Sequence, residues 1–189
     1  YTPSWPDACA WRPSLQSAVP DALLTDAALS WQQLREVTNS DLHGVLDELK
    51  PALLCSPWAL DLLRLRPELF DSLLREPRLV EIVDYADRLA GLPLSLTEAE
   101  FMRDIRQLRQ REMLRITLRD LMGWACLEQT LSELSALAQQ CIARALAYAK
   151  HALQGSFGLP FNKQGEEQEL IVLGMGKLGG GELNFSSDI

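Results

Sequence analysis

Along most of the chain the apolar residues recur at spacings of three and four, the period of a helix face, and prolines and glycines punctuate the pattern. The early segments Asp26 to Val37, Asp41 to Leu49, Ser56 to Leu65, Pro67 to Leu74 and Arg78 to Ala90 each read as one short helix. Pro57 and Pro67 stand in first turns, where a missing N–H costs nothing. The leucine-rich faces are expected to pack on one another. Ahead of these helices, Pro3, Pro6, Pro13 and Pro20 stand among Trp5 and Trp11, which confines this stretch to short turns held by aromatic contacts.

Thr97-x-x-Glu100 is a capping box, the clearest helix start in the chain. Behind it, Phe101, Ile105 and Leu108, then Leu114, Leu118 and Leu121, form an apolar stripe that shifts around a long helix, and Gly123 marks its break. A second long helix carries Leu127, Leu131, Leu134, Ala138, Cys141, Ala145, Ala149 and Leu153 on one face, with Gly155 expected at its C′ position. The pair predicts an antiparallel hairpin in a bundle, with residues 20–155 mostly helical and free of sheet. Gly155 to Gln168, with its glycines, Pro160 and polar end, reads as a linker. The expected organisation is a helical bundle over 1–155, a linker over 156–168, and the beginning of a second domain over 169–189. No constant-period repeat is present.

The second domain opens with Leu170-Ile171-Val172-Leu173, an apolar run that predicts a strand buried on both faces. It leads into Gly174-Met-Gly-Lys-Leu-Gly-Gly-Gly181, whose glycines allow backbone to approach an anion, and phosphate is the expected guest. A P-loop is excluded, because position 171 is Ile and Leu178 follows Lys177. Gly174-x-Gly176-x-x-Gly179 fits the dinucleotide-binding fingerprint, but Gly180, Gly181, Asn184, Ser186 and Ser187 crowd the turn that should continue as helix. A third frame is the nucleotidyltransferase site of the DNA polymerase beta superfamily: a Gly-Gly or Gly-Ser pair, about ten residues, then Asp-x-Asp on a strand, where i and i+2 share a face. Gly176-Lys177 and Asp188-Ile189 satisfy its spacing; Lys177 departs from the usual small residue, and the second acid would lie beyond Ile189.

The stretch Leu173-Gly-Met-Gly-Lys-Leu-Gly-Gly-Gly-Glu-Leu-Asn-Phe-Ser-Ser-Asp-Ile189 closely resembles the signature of the bifunctional glutamine synthetase adenylyltransferase/adenylyl-removing enzyme family. The Asn184-Phe-Ser-Ser-Asp188 form resembles the N-terminal, adenylyl-removing unit of the two such units in that family. Arg111 to Ile116 and Arg119 to Leu121 also resemble its helical region, so the likeness covers most of 50–189. The resemblance implies a mainly α chain: a helical bundle followed by the truncated start of an α/β nucleotidyltransferase domain. It implies that phosphate attacks the AMP phosphorus on a modified tyrosine of glutamine synthetase and leaves ADP. It further implies Mg²⁺ on Asp188, the catalytic acid and metal ligand; Gly176, Lys177, Gly179, Gly180 and Ser187 at nucleotide or phosphate; and regulation by the PII nitrogen-signalling protein. Glu182 and Asn184 suit a helix cap as well as a substrate contact.

Composition narrows the choices. A net charge of −8 argues against nucleic acid, which needs clustered Lys and Arg, and favours a protein partner or a small nucleotide carried with Mg²⁺, which the resemblance implies to be ATP or ADP. Cys9, Cys55, Cys126 and Cys141 show no CxxC pairing, and His43 and His151 stand apart from them, so reduced thiols in helix cores are expected rather than zinc. No apolar run reaches the length of a membrane span and no basic-then-apolar leader opens the chain, which points to the cytoplasm. The row Arg111, Arg115 and Arg119 reads as a solvated face paired with Glu112 and Asp120, with phosphate contact as the alternative; Trp31, Trp58 and Trp124 read as core. A non-catalytic helical adaptor is the competing class of function. The chain starts at Tyr1 without Met and stops within an expected strand, so it reads as a fragment, one expected to be inactive alone.

Overall fold

A computed structural model describes residues 21–75 and 79–187, with side chains over 28–74 and 79–187. The proline- and tryptophan-rich start lies outside the described residues. Helices account for most of what is described: α1 Asp21–Val37, a 3-10 turn Ser40–Leu42, α2 His43–Leu54, α3 Pro57–Leu65, α4 Glu68–Arg75, α5 Tyr85–Ala90, α6 Glu98–Leu121, α7 Leu127–Phe157 and α8 Gly176–Gly179. No strand forms among the described residues, where the only β pairing is an isolated bridge between Phe161 and Glu167. The chain is mainly α.

Two compact units divide it, Tyr1–Val83 with Arg111–Thr130, and Asp84–Gln110 with Leu131–Ile189. In the first, α1 packs on α2 and α3, and α3 on α4. Leu34, Leu46, Leu53, Leu63 and Phe70 form its core with Leu114 and Leu118 of α6. Each fully buried leucine is worth about 2 kcal/mol of transfer free energy. Ser56 caps α3 by accepting the Ala59 N–H at 3.3 Å, and Pro57 takes the first helical position, as its sequence predicts. His43 Nε2 lies 2.9 Å from the Arg35 carbonyl oxygen and 3.2 Å from that of Thr38; both oxygens only accept, so this nitrogen carries the proton and the ring closes the end of α1.

The helix expected over Arg78 to Ala90 begins only at Tyr85. In a helix the Glu81 carbonyl would accept from residue 85; here it accepts from Arg115 Nη1 at 2.6 Å, while Asp84 caps α5 through the Ala86 N–H at 2.8 Å. The arginine row is also not a solvated face. Glu112 and Arg115 are 0% and 1% exposed and joined at 2.9 Å, and Arg119 is buried too. From Glu112 to Arg119 every residue of α6 is enclosed, so the helix has no wet side there and its charges pair inside the protein. Trp31 and Trp124 are core residues as read, but Trp58 is exposed at the start of α3.

In the second unit, Thr97 and Glu100 form the expected capping box: the Thr97 N–H donates to Glu100 Oε2 at 3.0 Å, and the Glu100 N–H to Thr97 Oγ1 at 3.4 Å. Phe101 stacks on Tyr148 at 4.0 Å between ring centroids, and Arg109 acts electrostatically on Cys141, so α6 and α7 run antiparallel here. Tyr148 Oη donates to the Leu96 carbonyl at 3.0 Å, and Arg144 donates to the carbonyls of Ala90 and Leu92, which ties the 90–97 connection to α7. The apolar stripe of α7 is buried from Leu134 to Cys141, whereas Ala145, Ala149 and Leu153 are exposed. α7 also passes through Gly155. It ends where Gly158, at φ 73°, returns its N–H to the Gln154 carbonyl at 2.9 Å. Leu159 precedes Pro160 and so disfavours helix, which makes Gly158 the effective stop.

Candidate functional site

Residues 170–175 run without regular structure into the glycine turn, and the buried strand expected at Leu170–Leu173 does not form. Their side chains are 70, 78, 52 and 78% exposed. A strand exists only through ladder bonds to a neighbour, and no described segment supplies that edge. Val172, Leu173 and Met175 instead face a groove of about 660 Å³ shared with Ile142 and Leu146 of α7.

The turn is built by its glycines. Gly176, at φ 57°, sends the chain from 175 into the four-residue α8. Gly179 then returns so close to Gly174 that a Cβ on it would sit 2.4 Å from the Gly174 carbonyl oxygen. Backbone N–H groups close the loop: Gly180 to the Gly176 carbonyl at 3.0 Å, Gly181 to that of Leu178 at 3.2 Å, and Glu182 to that of Lys177 at 2.8 Å. The first N–H groups of α8, Gly176, Lys177 and Leu178, have no partner inside the helix, as at any helix start. The Lys177 side chain is exposed.

Beyond the turn the chain is fastened to α7. Leu183 is 4% exposed, and its N–H donates at 3.0 Å to the hydroxyl of buried Ser135, which itself donates to the Leu131 carbonyl at 2.8 Å. Asn184 follows as the organiser of a second turn. Its Oδ1 accepts from Ser186 Oγ at 3.0 Å and from Ser187 Oγ at 2.8 Å, and its carbonyl accepts the Ser187 N–H at 3.1 Å. Between the two readings open for Asn184, a helix cap or a substrate contact, the structure adds a third: it organises the turn over residues 184–187. Asp188 itself lies outside the described residues.

Gly176, Lys177, Gly179 and Gly180 therefore share one turn, and Ser187 stands on the next. Among the described residues no group of three or more His, Cys, Asp or Glu side chains is placed to hold a metal ion. The arginine row is in the other compact unit. Sequence reasoning missed Ser135. Its only trace was a polar residue set among Leu131, Leu134 and Ala138 on the apolar face of a helix.

Cys55, Cys126 and Cys141 are free thiols, and burial pushes that of Cys141 up to about 11. Among the described residues no helix is long and apolar enough to cross a membrane.

Comparison with known proteins places these observations. Residues 46–189 match the family model of glutamate-ammonia ligase adenylyltransferase. The chain is 39% identical over 187 residues to a bifunctional glutamine synthetase adenylyltransferase/adenylyl-removing enzyme of Thioalkalivibrio sulfidiphilus, covering 94% of the chain and 19% of that protein. It is 50% identical over 94 residues to the protein of that name from Nitrosococcus oceani, covering 49% of the chain and 10% of the relative. With the Shewanella oneidensis protein it shares 36% over 177 residues, 88% of the chain and 18% of the relative. The chain thus spans about a fifth or less of these relatives' length. No solved structure matches it.

Proposed function

The chain belongs to the glutamate-ammonia ligase adenylyltransferase family, and we propose that it is part of the unit that removes AMP from adenylylated glutamine synthetase by phosphorolysis. The observation that carries this reading is the pairing of a glycine turn, closed by the Gly174–Gly179 approach, with the Asn184–Ser187 turn that leads directly into Asp188. The Asn184-Phe-Ser-Ser-Asp188 wording supports the adenylyl-removing rather than the adenylylating unit. Residues 169–189 are then the beginning of a nucleotidyltransferase domain, reached from the helical part through 156–168.

In the reaction, an oxygen of inorganic phosphate attacks the phosphorus of the tyrosine-bound AMP. The bond from phosphorus to the tyrosine oxygen breaks, that oxygen takes a proton, and ADP leaves with the unmodified enzyme. Charge collects on the phosphoryl oxygens, and preorganised donors are worth most where charge develops. Gly176 and Lys177 offer N–H groups and an ammonium at the mouth of the turn. Gly179 and Gly180 keep its wall free of side chains, and Ser187, next in sequence to Asp188, is the proposed hydroxyl contact once its hydrogen turns from Asn184 Oδ1 to phosphate. The divalent ion, Mg²⁺, would offset the same charge, with Asp188 as its proposed ligand. A divalent ion takes six or more oxygen ligands, of which Asp188 would supply one carboxylate, so the chain alone is proposed to be inactive. Glutamine synthetase and the PII protein are the proposed protein partners, ATP or ADP and phosphate the small ones, and the cytoplasm the setting.

Asp188→Asn in a full-length enzyme carrying this chain tests the assignment. It should abolish ADP release from adenylylated glutamine synthetase and leave adenylylation intact. Retention of both activities would refute the role of Asp188.

A further inference from the structure

We infer that Ser135, in the middle of α7, is a positioning residue for the site proposed above: its hydroxyl sets the register of the segment between the glycine turn and Asp188. This inference rests on that proposed function. Leu183 is the one buried residue among residues 170–187. Its N–H is satisfied by Ser135 Oγ at 3.0 Å, and the Ser135 hydroxyl hydrogen is spent on the Leu131 carbonyl at 2.8 Å, so the oxygen can meet Leu183 only as an acceptor. A buried hydroxyl with both roles filled has one orientation.

The connection to the chemistry is short. Glu182 closes the glycine turn through the Lys177 carbonyl at 2.8 Å, Leu183 is pinned to α7, and Asn184 holds Ser187 Oγ at 2.8 Å. The phosphate turn and the residues leading to Asp188 therefore share an anchor on α7, supplied 48 residues earlier in the chain. A helix serine that bonds only its own preceding turn would do nothing of this kind. With the anchor gone, Leu183 is left with an unsatisfied buried N–H, and the two turns lose their common reference.

The test uses Ser135→Ala and Ser135→Thr, the second keeping the hydroxyl. In this 189-residue chain, hydrogen exchange of the Leu183 amide should accelerate about tenfold in Ser135→Ala and return in Ser135→Thr, the loss expected for one buried hydrogen bond. In a full-length enzyme carrying the chain, Ser135→Ala should lower kcat for adenylyl removal about tenfold, with KM for adenylylated glutamine synthetase and the adenylylating activity unchanged, and Ser135→Thr should restore it. An unchanged Leu183 amide in Ser135→Ala overturns the anchor. An exposed amide with unchanged kcat overturns the positioning role while the proposed function stands. If Asp188→Asn is silent as well, the proposed function fails with it, and the Leu183 exchange still decides the anchor separately.

Discussion

The Cα of Gly179 faces the carbonyl oxygen of Gly174 so closely that a Cβ there would lie 2.4 Å away. The obstacle is backbone, which cannot rotate aside. Gly179→Ala should therefore cost the turn about 1–3 kcal/mol of local stability. Faster amide exchange at Glu182 and Leu183, with helix content by circular dichroism unchanged, would register it. Gly180→Ala, which meets the Gly176 carbonyl oxygen at an ordinary 3.6 Å, should leave the same amides protected.

Gly176 and Gly181 impose a different restriction. Both have positive φ, 57° and 71°, with nothing crowding a Cβ. Alanine at either is strained by conformation alone, about 1 kcal/mol, so the two variants should be milder than Gly179→Ala in the same exchange measurement. Equal effects at all three positions would contradict the steric account of Gly179.

Charge burial in α6 gives a prediction for global stability. Glu112 and Arg115 are enclosed and joined at 2.9 Å. Glu112→Ala should lower the urea unfolding free energy by about 3–5 kcal/mol, the cost of breaking a buried pair. Asp104→Ala, which breaks a pair with solvent-exposed Arg103, should leave the unfolding midpoint almost where it was.

The α6 cap should make stability depend on acid. The Thr97 hydroxyl, and then its N–H, hold the Glu100 carboxyl below its ordinary value. A carboxyl lowered by folding stabilises fully above its unfolded value, and that stability is lost as pH falls through the lowered folded value. Thermal melts should show a decline in that acid range which Glu100→Gln flattens. Thr97→Ala should cost about 1 kcal/mol at neutral pH.

Thiol labelling checks the packing of α7. With its thiol pushed up to about 11 by burial, Cys141 should react with iodoacetamide at pH 8 far more slowly in the native chain than in urea. Rapid native labelling would mean that the α7 face from Leu134 to Cys141 opens.

The amino-acid sequence by itself determined the elements whose causes are local. The Thr97–Glu100 box, the Ser56–Pro57 helix start, the break at Gly123 and the period of the long helices all follow from residues a few positions apart, and each stands where the sequence puts it. The glycine turn was legible for the same reason, since positive φ and close approach are demands that glycine alone meets. Tertiary structure decided whatever depended on a distant partner. Arg115 took the Glu81 carbonyl and the expected helix starts only at Tyr85; the absence of a neighbouring edge among the described residues left Leu170–Leu173 outside any ladder; and enclosure of α6 buried Arg115 and Arg119 of a row that reads as solvated. Ser135 and Leu183 meet across 48 positions of chain. Periodicity carries no information about such a bond, because a hydroxyl on a helix face has no assigned partner until packing brings one within 3 Å.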